Sequence, residues 1–232
     1  PYIIDLYSDL DDKNKHLFPC AIDFDYFSNC DNFKKDLYEY LNKQSNEPII
    51  NITYCGGLYD YKGIPLLLEA AKILKNINFH IVGGSKIQID SYKSKYNISS
   101  NVHFHGQKNN SEIASYLYSS DILVIPYNKK GNIWSKSTIT SPIKLFEYLS
   151  TKVPVLCSDI KGISNWVSDK EVTFFGASDI NDFVDKIKYI VSNLGSAELE
   201  LKSVNGYERA KKFSVKNKCK ELLLKKKVFR KL

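Results

Sequence analysis

The sequence predicts an α/β domain whose parallel sheet is wound on both faces, and three observations predict it. Six apolar runs of about four to eight residues recur, at 49–55, 78–84, 101–106, 121–126, 153–159 and 171–176. Their hydrophobicity is continuous rather than alternating, the pattern of strands covered on both faces, and such strands run parallel. Helical stretches separate them, and 232 residues that are 43% hydrophobic suffice for one large core.

The elements follow in order. IINITYC gives the first strand, NFHIVGG the second, NVHFHG the third, DILVIP the fourth, VPVLCSD the fifth and EVTFFG the sixth. Between them GIPLLLEAAKIL, SEIASYLYSS, SPIKLFEYLS and SDINDFVDKIKYIVSN read as helices, the last with Ser178 as the expected N-cap before an apolar stripe. The alternation runs from about 48 to 195, and ligands are expected outside the carboxyl ends of the strands. Residues 1–47 add one strand-like run, LFPCAI, and a Tyr- and Asp-rich segment, whereas 196–232 read as almost wholly helical. We read the chain as starting inside a longer product, because it holds no Met and opens with Pro1 in an apolar run.

Composition narrows the function. No stretch approaches the roughly 20 apolar residues of a membrane span, and no signal-peptide pattern opens the chain. Cys20, Cys30, Cys55, Cys157 and Cys219 form an odd set without C-x-x-C pairing, so reduced thiols are expected. The net charge of +7 could suggest nucleic acid, but the lysines are scattered and gather mainly in ELLLKKKVFRKL, a basic tail helix rather than a nucleic-acid groove.

The loops carry the candidate chemistry. CGGLYDYKG (55–63) follows the first strand; Gly56 and Gly57 let backbone approach a ligand, and Lys62 stands where exposed N–H groups would meet phosphate. A tight turn and a solvated lysine explain the same residues, as they do Gly83-Gly84 after the second strand. His103 and His105 alternate on one strand face without a nearby acid or cysteine, which favours satisfied histidines over a metal site. Residues 127–140 read as a polar lid, with Trp134 either stacking on a ligand or packing on the core. SPIKLFEYLS places the carboxylate of Glu147 one turn after a Ser-Pro helix start and just before an apolar strand, where a charge must be paired, hydrogen-bonded or used. An anion-attracting helix start followed by an acid suggests a nucleotide site, while a pair with Lys144 or a helix cap is the plainer alternative.

In content and order these landmarks resemble the carboxyl-terminal, donor-binding domain of GT-B-fold retaining glycosyltransferases related to glycogen synthase and sucrose synthase. The resemblance rests on FPCAIDFDYF (18–27), CGGLYDYKG, NVHFHGQ, SSDILVIPY, SPIKLFEYLSTKVPVLCSD and YERAKKFSV, and it covers nearly the whole chain from about residue 16. It implies a Rossmann-like half of a GT-B fold, with 1–47 as interdomain segment and remnant of the other lobe, 48–212 as the nucleotide-sugar domain and 213–232 as a basic helix crossing back. It implies further that Glu147 accepts from ribose hydroxyls, that the helix start at Ser141, Pro142, Ile143 and Lys144 receives the diphosphate, and that Gly56, Gly57, Lys62, Gly83 and Gln107 complete the donor site. No metal or other cofactor is expected. The catalytic groups are unassigned, since the resemblance puts most of them in the other lobe.

Two positions depart from the family's pattern. Gly57 stands where the family usually has Arg, so Lys62 holds the diphosphate alone unless Lys144 serves; Ile139 stands where the family's first Glu faces the donor sugar. The expected activity is retaining transfer from a nucleotide-diphosphate sugar to a carbohydrate or glycolipid hydroxyl, in bacterial polysaccharide or glycolipid synthesis. The alternative is a degenerate nucleotide-sugar-binding or partner-binding lobe. A dinucleotide enzyme is disfavoured by the lack of G-x-G-x-x-G. The expected place is the cytoplasm, with an anionic membrane surface as a partner of the tail and no nucleic acid.

Overall fold

The computed structural model describes residues 21–29, 49–129 and 142–229. Six strands form one parallel sheet: β1 (Ile50–Cys55), β2 (Ile77–Val82), β3 (Val102–Gly106), β4 (Ile122–Ile125), β5 (Val155–Ser158) and β6 (Thr173–Phe175). Each expected run supplies one of them, and every residue of β4 and β5 is buried, as continuous hydrophobicity requires. The order is β3-β2-β1-β4-β5-β6. It reverses between β1 and β4, so their carboxyl ends part and leave a crevice.

The helices among the described residues are α1 (Phe24–Ser28), α2 (Ile64–Ile73), α3 (Lys86–Lys95), α4 (Asn110–Tyr118), α5 (Ile143–Leu149), α6 (Lys161–Ser164), α7 (Ile180–Ser192), α8 (Ala197–Lys211) and α9 (Val215–Phe229), with a 3-10 turn at Asp60–Lys62. The stripe of α7 buries Phe183, Val184, Ile187 and Ile190, and α7 packs against α2. The other pair is α5 and α8. There a Cβ on Gly206 would lie 2.6 Å from Leu149 Cδ2, so only glycine lets the two helices come this close. The rings of Phe146 and Phe213 stack beside them, 3.9 Å apart.

Two expectations change. The N-cap of α7 is Asp179 rather than Ser178: its carboxylate accepts from the amides of Asn181 and Asp182. Ser178 lies in the left-handed region, φ 68°, and its hydroxyl accepts from the Lys129 amide instead. The helix α3 has no counterpart in the sequence reading because it buries only Tyr92 and so shows no apolar period. A reciprocal cap starts it, with Gln88 N donating to Ser85 Oγ and Ser85 N to Gln88 Oε1.

Cys55 and Cys157 are buried free thiols and Cys219 is an exposed one; Cys20 and Cys30 lie outside the described residues. The segment 21–29 packs on the same body. Ile22 bridges Ser214, donating to Phe213 O and accepting from Val215 N, each at 3.0 Å. Among the described residues no helix is long and apolar enough to cross a membrane.

Candidate functional site

The crevice is built first from backbone. Gly56 N donates to Val82 O at 2.9 Å and Gly83 N to Gly106 O at 2.7 Å, which ties together the turns that leave β1, β2 and β3. A Cβ on Gly83 would fall 2.1 Å from Gly56 O, and φ there is +126°, so the junction demands glycine. Tyr54 Oη donates to Gly57 O at 2.9 Å and holds the next turn from below. These turns, with Gln107, Lys108, Ser85 and Lys144, line a cleft of about 330 Å³.

Lys62 ends the 3-10 turn on the β4 side of this cleft. The following Gly63, φ +80°, lies so close to Pro126 at the end of β4 that a Cβ would stand 1.7 Å from its carbonyl oxygen. The turn is thereby clamped across the crevice. Lys62 Nζ sits 3.8 Å from the centre of the Tyr127 ring. Partial burial drops its ammonium to a pKa of about 8, and among the described residues no carboxylate pairs with it.

Glu147 projects from α5, its side chain 12% exposed, with Lys144 Nζ 2.7 Å from Oε2. That distance makes a tight, charge-assisted ion pair on the buried oxygen. The plainer reading of Glu147 as a partner of Lys144 therefore holds in this structure. Burial raises the neighbouring Cys55 thiol to a pKa of about 12, so it remains protonated.

Five of the residues singled out in the sequence, Gly56, Gly57, Gly83, Gln107 and Lys144, therefore share one cleft. Glu147 joins it through Lys144, whereas Lys62 faces Tyr127 and does not line it. Pro142 is the N-cap of α5 and Ile143, 39% exposed, its first residue. Ser141, Ile139 and Trp134 lie outside the described residues. The sequence reading missed Tyr127, Tyr54 and Tyr148, the last donating to Cys55 O and accepting from its amide. The signal available was the set of strand-end backbone groups at the β1/β4 parting, which need partners.

The histidines are satisfied by one another and by neighbouring side chains, His103 by Asn78 Oδ1 at 3.3 Å. His80 of β2 bonds His105 Nε2 at 3.0 Å and Asn51 Oδ1 at 3.0 Å, and its ring stacks on His103. His80 is the partner that the pair at 103 and 105 lacked in the sequence reading. Burial lowers all three, His80 to about 2 and His105 to about 4. Among the described residues no group of three or more His, Cys, Asp or Glu is placed to hold a metal.

Known proteins share this fold. The family profile described as glycosyl transferases group 1 matches residues 50–193, more than half of the chain. The chain belongs to that family. An uncharacterized glycosyltransferase of Methanocaldococcus jannaschii is 26% identical over 187 residues, 77% of this chain and 49% of that protein. Sucrose-phosphate synthase of Thermosynechococcus elongatus superposes with a TM-score of 0.68 at 21% identity, over 94% of this chain and 53% of the other. HepE of Anabaena, in complex with UDP and glucose, gives 0.69 at 13% identity, over 88% and 54%. At these identities the structures share a fold, the Rossmann-like half of a GT-B architecture. This group 1 chain spans about half the length of each of them.

Proposed function

We propose that the chain is the donor-binding half of a group 1 glycosyltransferase, the lobe that holds a nucleotide-diphosphate sugar. The observation that carries the proposal is the glycine-walled cleft at the sheet's reversal, with the Lys144–Glu147 ion pair at its edge. A carboxylate oxygen so placed accepts from a hydroxyl, and a ribose offers two. The Gly56-Gly57 and Gly83-Gly84 turns, which have no side chain to hold a ligand off the backbone, and the half-buried Lys62 across the crevice suit the diphosphate, an arrangement that stabilises a leaving group without a metal. The complex of HepE with UDP and glucose supports the same ligand class.

In this reading the complete protein transfers the sugar with retention to a carbohydrate or glycolipid hydroxyl, in polysaccharide or glycolipid synthesis. Residues 1–47 join the lobes, 48–212 bind the donor and 213–232 cross towards the other lobe. The site works on the cytoplasmic side, with α9 against an anionic membrane face; Val215, Leu222 and Leu223 are exposed and support that contact. Ile139 in place of an acid favours a second reading, a lobe that binds donor without turning it over. Donor-dependent hydrolysis or transfer by the complete protein separates the two.

A thermal-shift screen against UDP-, GDP-, ADP-, CMP- and dTDP-sugars tests the proposal. One diphosphate sugar should raise the melting temperature of the parent chain, and Glu147→Ala should remove most of that rise. Indifference to all five would overturn it.

A further inference from the structure

We propose that Tyr148 is a positioning residue of the donor site. Its hydroxyl pins α5 to the end of β1 and so fixes the span between Glu147 and the Gly56-Gly57 turn. The inference rests on the nucleotide-sugar reading and adds to it a residue that touches no ligand.

Successive residues of a strand present their N–H and C=O to opposite edges. Gly56 N bonds Val82 O on the β2 side, and Asn51 O accepts from Asp121 N on the β4 side. By this alternation both polar groups of Cys55 face β4. Yet β4 pairs with β1 only at Ile52↔Ile122 and Thr53↔Leu123. Beyond Thr53 the strands part, and Cys55 would be left with two bare backbone groups in a buried place.

The Tyr148 hydroxyl supplies both partners. It accepts from Cys55 N at 2.7 Å and donates to Cys55 O at 3.2 Å. The residue is 1% exposed, and burial holds its phenol well above the ordinary pKa, so the proton that it donates stays in place. The pin sits between the glycine turn of the cleft and the helix that carries Lys144 and Glu147. Cys55 is bonded directly to Gly56, while Tyr148 follows Glu147 and lies one turn after Lys144. A ligand that spans glycine turn and carboxylate meets a distance set by this one hydroxyl. Ligands that touch only one half do not depend on it.

Tyr148→Phe keeps the ring and removes the pin. UDP, GDP and ADP are titrated into the parent by calorimetry, and the tightest is carried forward with its nucleoside and with inorganic pyrophosphate. In Y148F the nucleoside diphosphate should bind at least tenfold more weakly, while nucleoside and pyrophosphate change less than twofold. Hydrogen exchange should speed up at the amides of residues 55–57. Leu149→Ala, which loosens α5 without touching the pin, should lower the melting temperature and keep the diphosphate-to-nucleoside ratio. Equal weakening of all three ligands in Y148F, or no weakening, overturns the positioning role. If the parent binds no nucleoside diphosphate, the donor reading falls and takes this role with it. Should Y148F fail to fold, the parent decides: a Cys55 amide that exchanges rapidly in the absence of nucleotide overturns the pin.

Discussion

Lys62 Nζ lies 3.8 Å from the centre of the Tyr127 ring, and this contact joins the two loops that leave the sheet on either side of its reversal. A cation over an aromatic face is held by the ring's negative centre, yet the contact provides no counter-charge. Partial burial has already brought the ammonium to a pKa of about 8. The lysine is therefore prepared for an anion that the described residues do not supply.

Lys62→Ala should weaken binding of a nucleoside diphosphate by about 1.5–3 kcal/mol, the range of a hydrogen bond to a charged group. The corresponding nucleoside should bind parent and variant alike. Calorimetric titration of both ligands checks this, and an equal drop for the nucleoside would make Lys62 a structural residue.

The same lysine makes the affinity depend on pH. Above pH 8 the free protein loses the ammonium, so diphosphate binding should weaken by up to about tenfold per pH unit between 8 and 9. Stability moves the other way. The unfolded chain, with an ordinary lysine, binds more protons in this window, so the Lys62 contribution to unfolding free energy rises with pH. Lys62→Arg keeps its charge throughout and should flatten the binding profile. A parent affinity constant from pH 7 to 9.5 would show that the ammonium does not meet the ligand.

The fold was legible because hydrophobic runs are local, and each run that becomes a strand carries its own signal. The helix α3 was not, because a single buried side chain, Tyr92, leaves no period to read, and its cap is a matter of two side chains closing on each other. The glycines and Glu147 stood out for a related reason: they interrupt the pattern around them. Tyr148 and His80 did not, since both lie inside apolar runs and their partners, Cys55 and His105, are 93 and 25 residues away. Parallel register brings His80 beside His103 and Thr53, and only the register makes that polar row visible.

Two glycines with similar backbones should tolerate alanine differently. Gly63 has φ +80° with Pro126 O where the Cβ would go, and Gly106 has φ +68° with open space. Gly106→Ala should cost about 1–2 kcal/mol of strain. Gly63→Ala should cost about 1–3 kcal/mol more from overpacking, and it should also weaken donor binding, because it pushes the Lys62 turn off β4. Denaturant unfolding of both variants measures the difference, and equal losses would mean that the turn yields freely.

The histidine row predicts sensitivity to acid. Folded His80 resists protonation down to about pH 2 and His105 to about pH 4, whereas unfolded histidines protonate near 6.5. Stability is then complete above pH 6.5 and falls as the pH drops below it. For the fully buried His80 the loss is about 1.4 kcal/mol per pH unit. His80→Gln should be less stable than the parent at pH 7 but lose stability between pH 6.5 and 5 with a slope smaller by about one proton. Identical slopes would place the acid sensitivity elsewhere.

The last expectation concerns α9. Val215, Leu222 and Leu223 are exposed on it, and the sequence continues through Lys225, Lys226, Lys227, Arg230 and Lys231. Exposed apolar side chains next to clustered cations suit an anionic bilayer surface, where each well-placed cation adds about 1 kcal/mol of attraction. Packing against another lobe accounts for the leucines but not for five basic residues in seven positions. The chain should therefore sediment with vesicles that contain phosphatidylserine, and not with pure phosphatidylcholine, at low salt. Salt should release it, because the attraction is screened within a Debye length of about 10 Å at 0.1 M. Deleting 225–232 should abolish sedimentation and leave the melting temperature unchanged. If parent and deletion variant ignore both vesicle types, the helix is a strap between lobes and its lysines are only solvated.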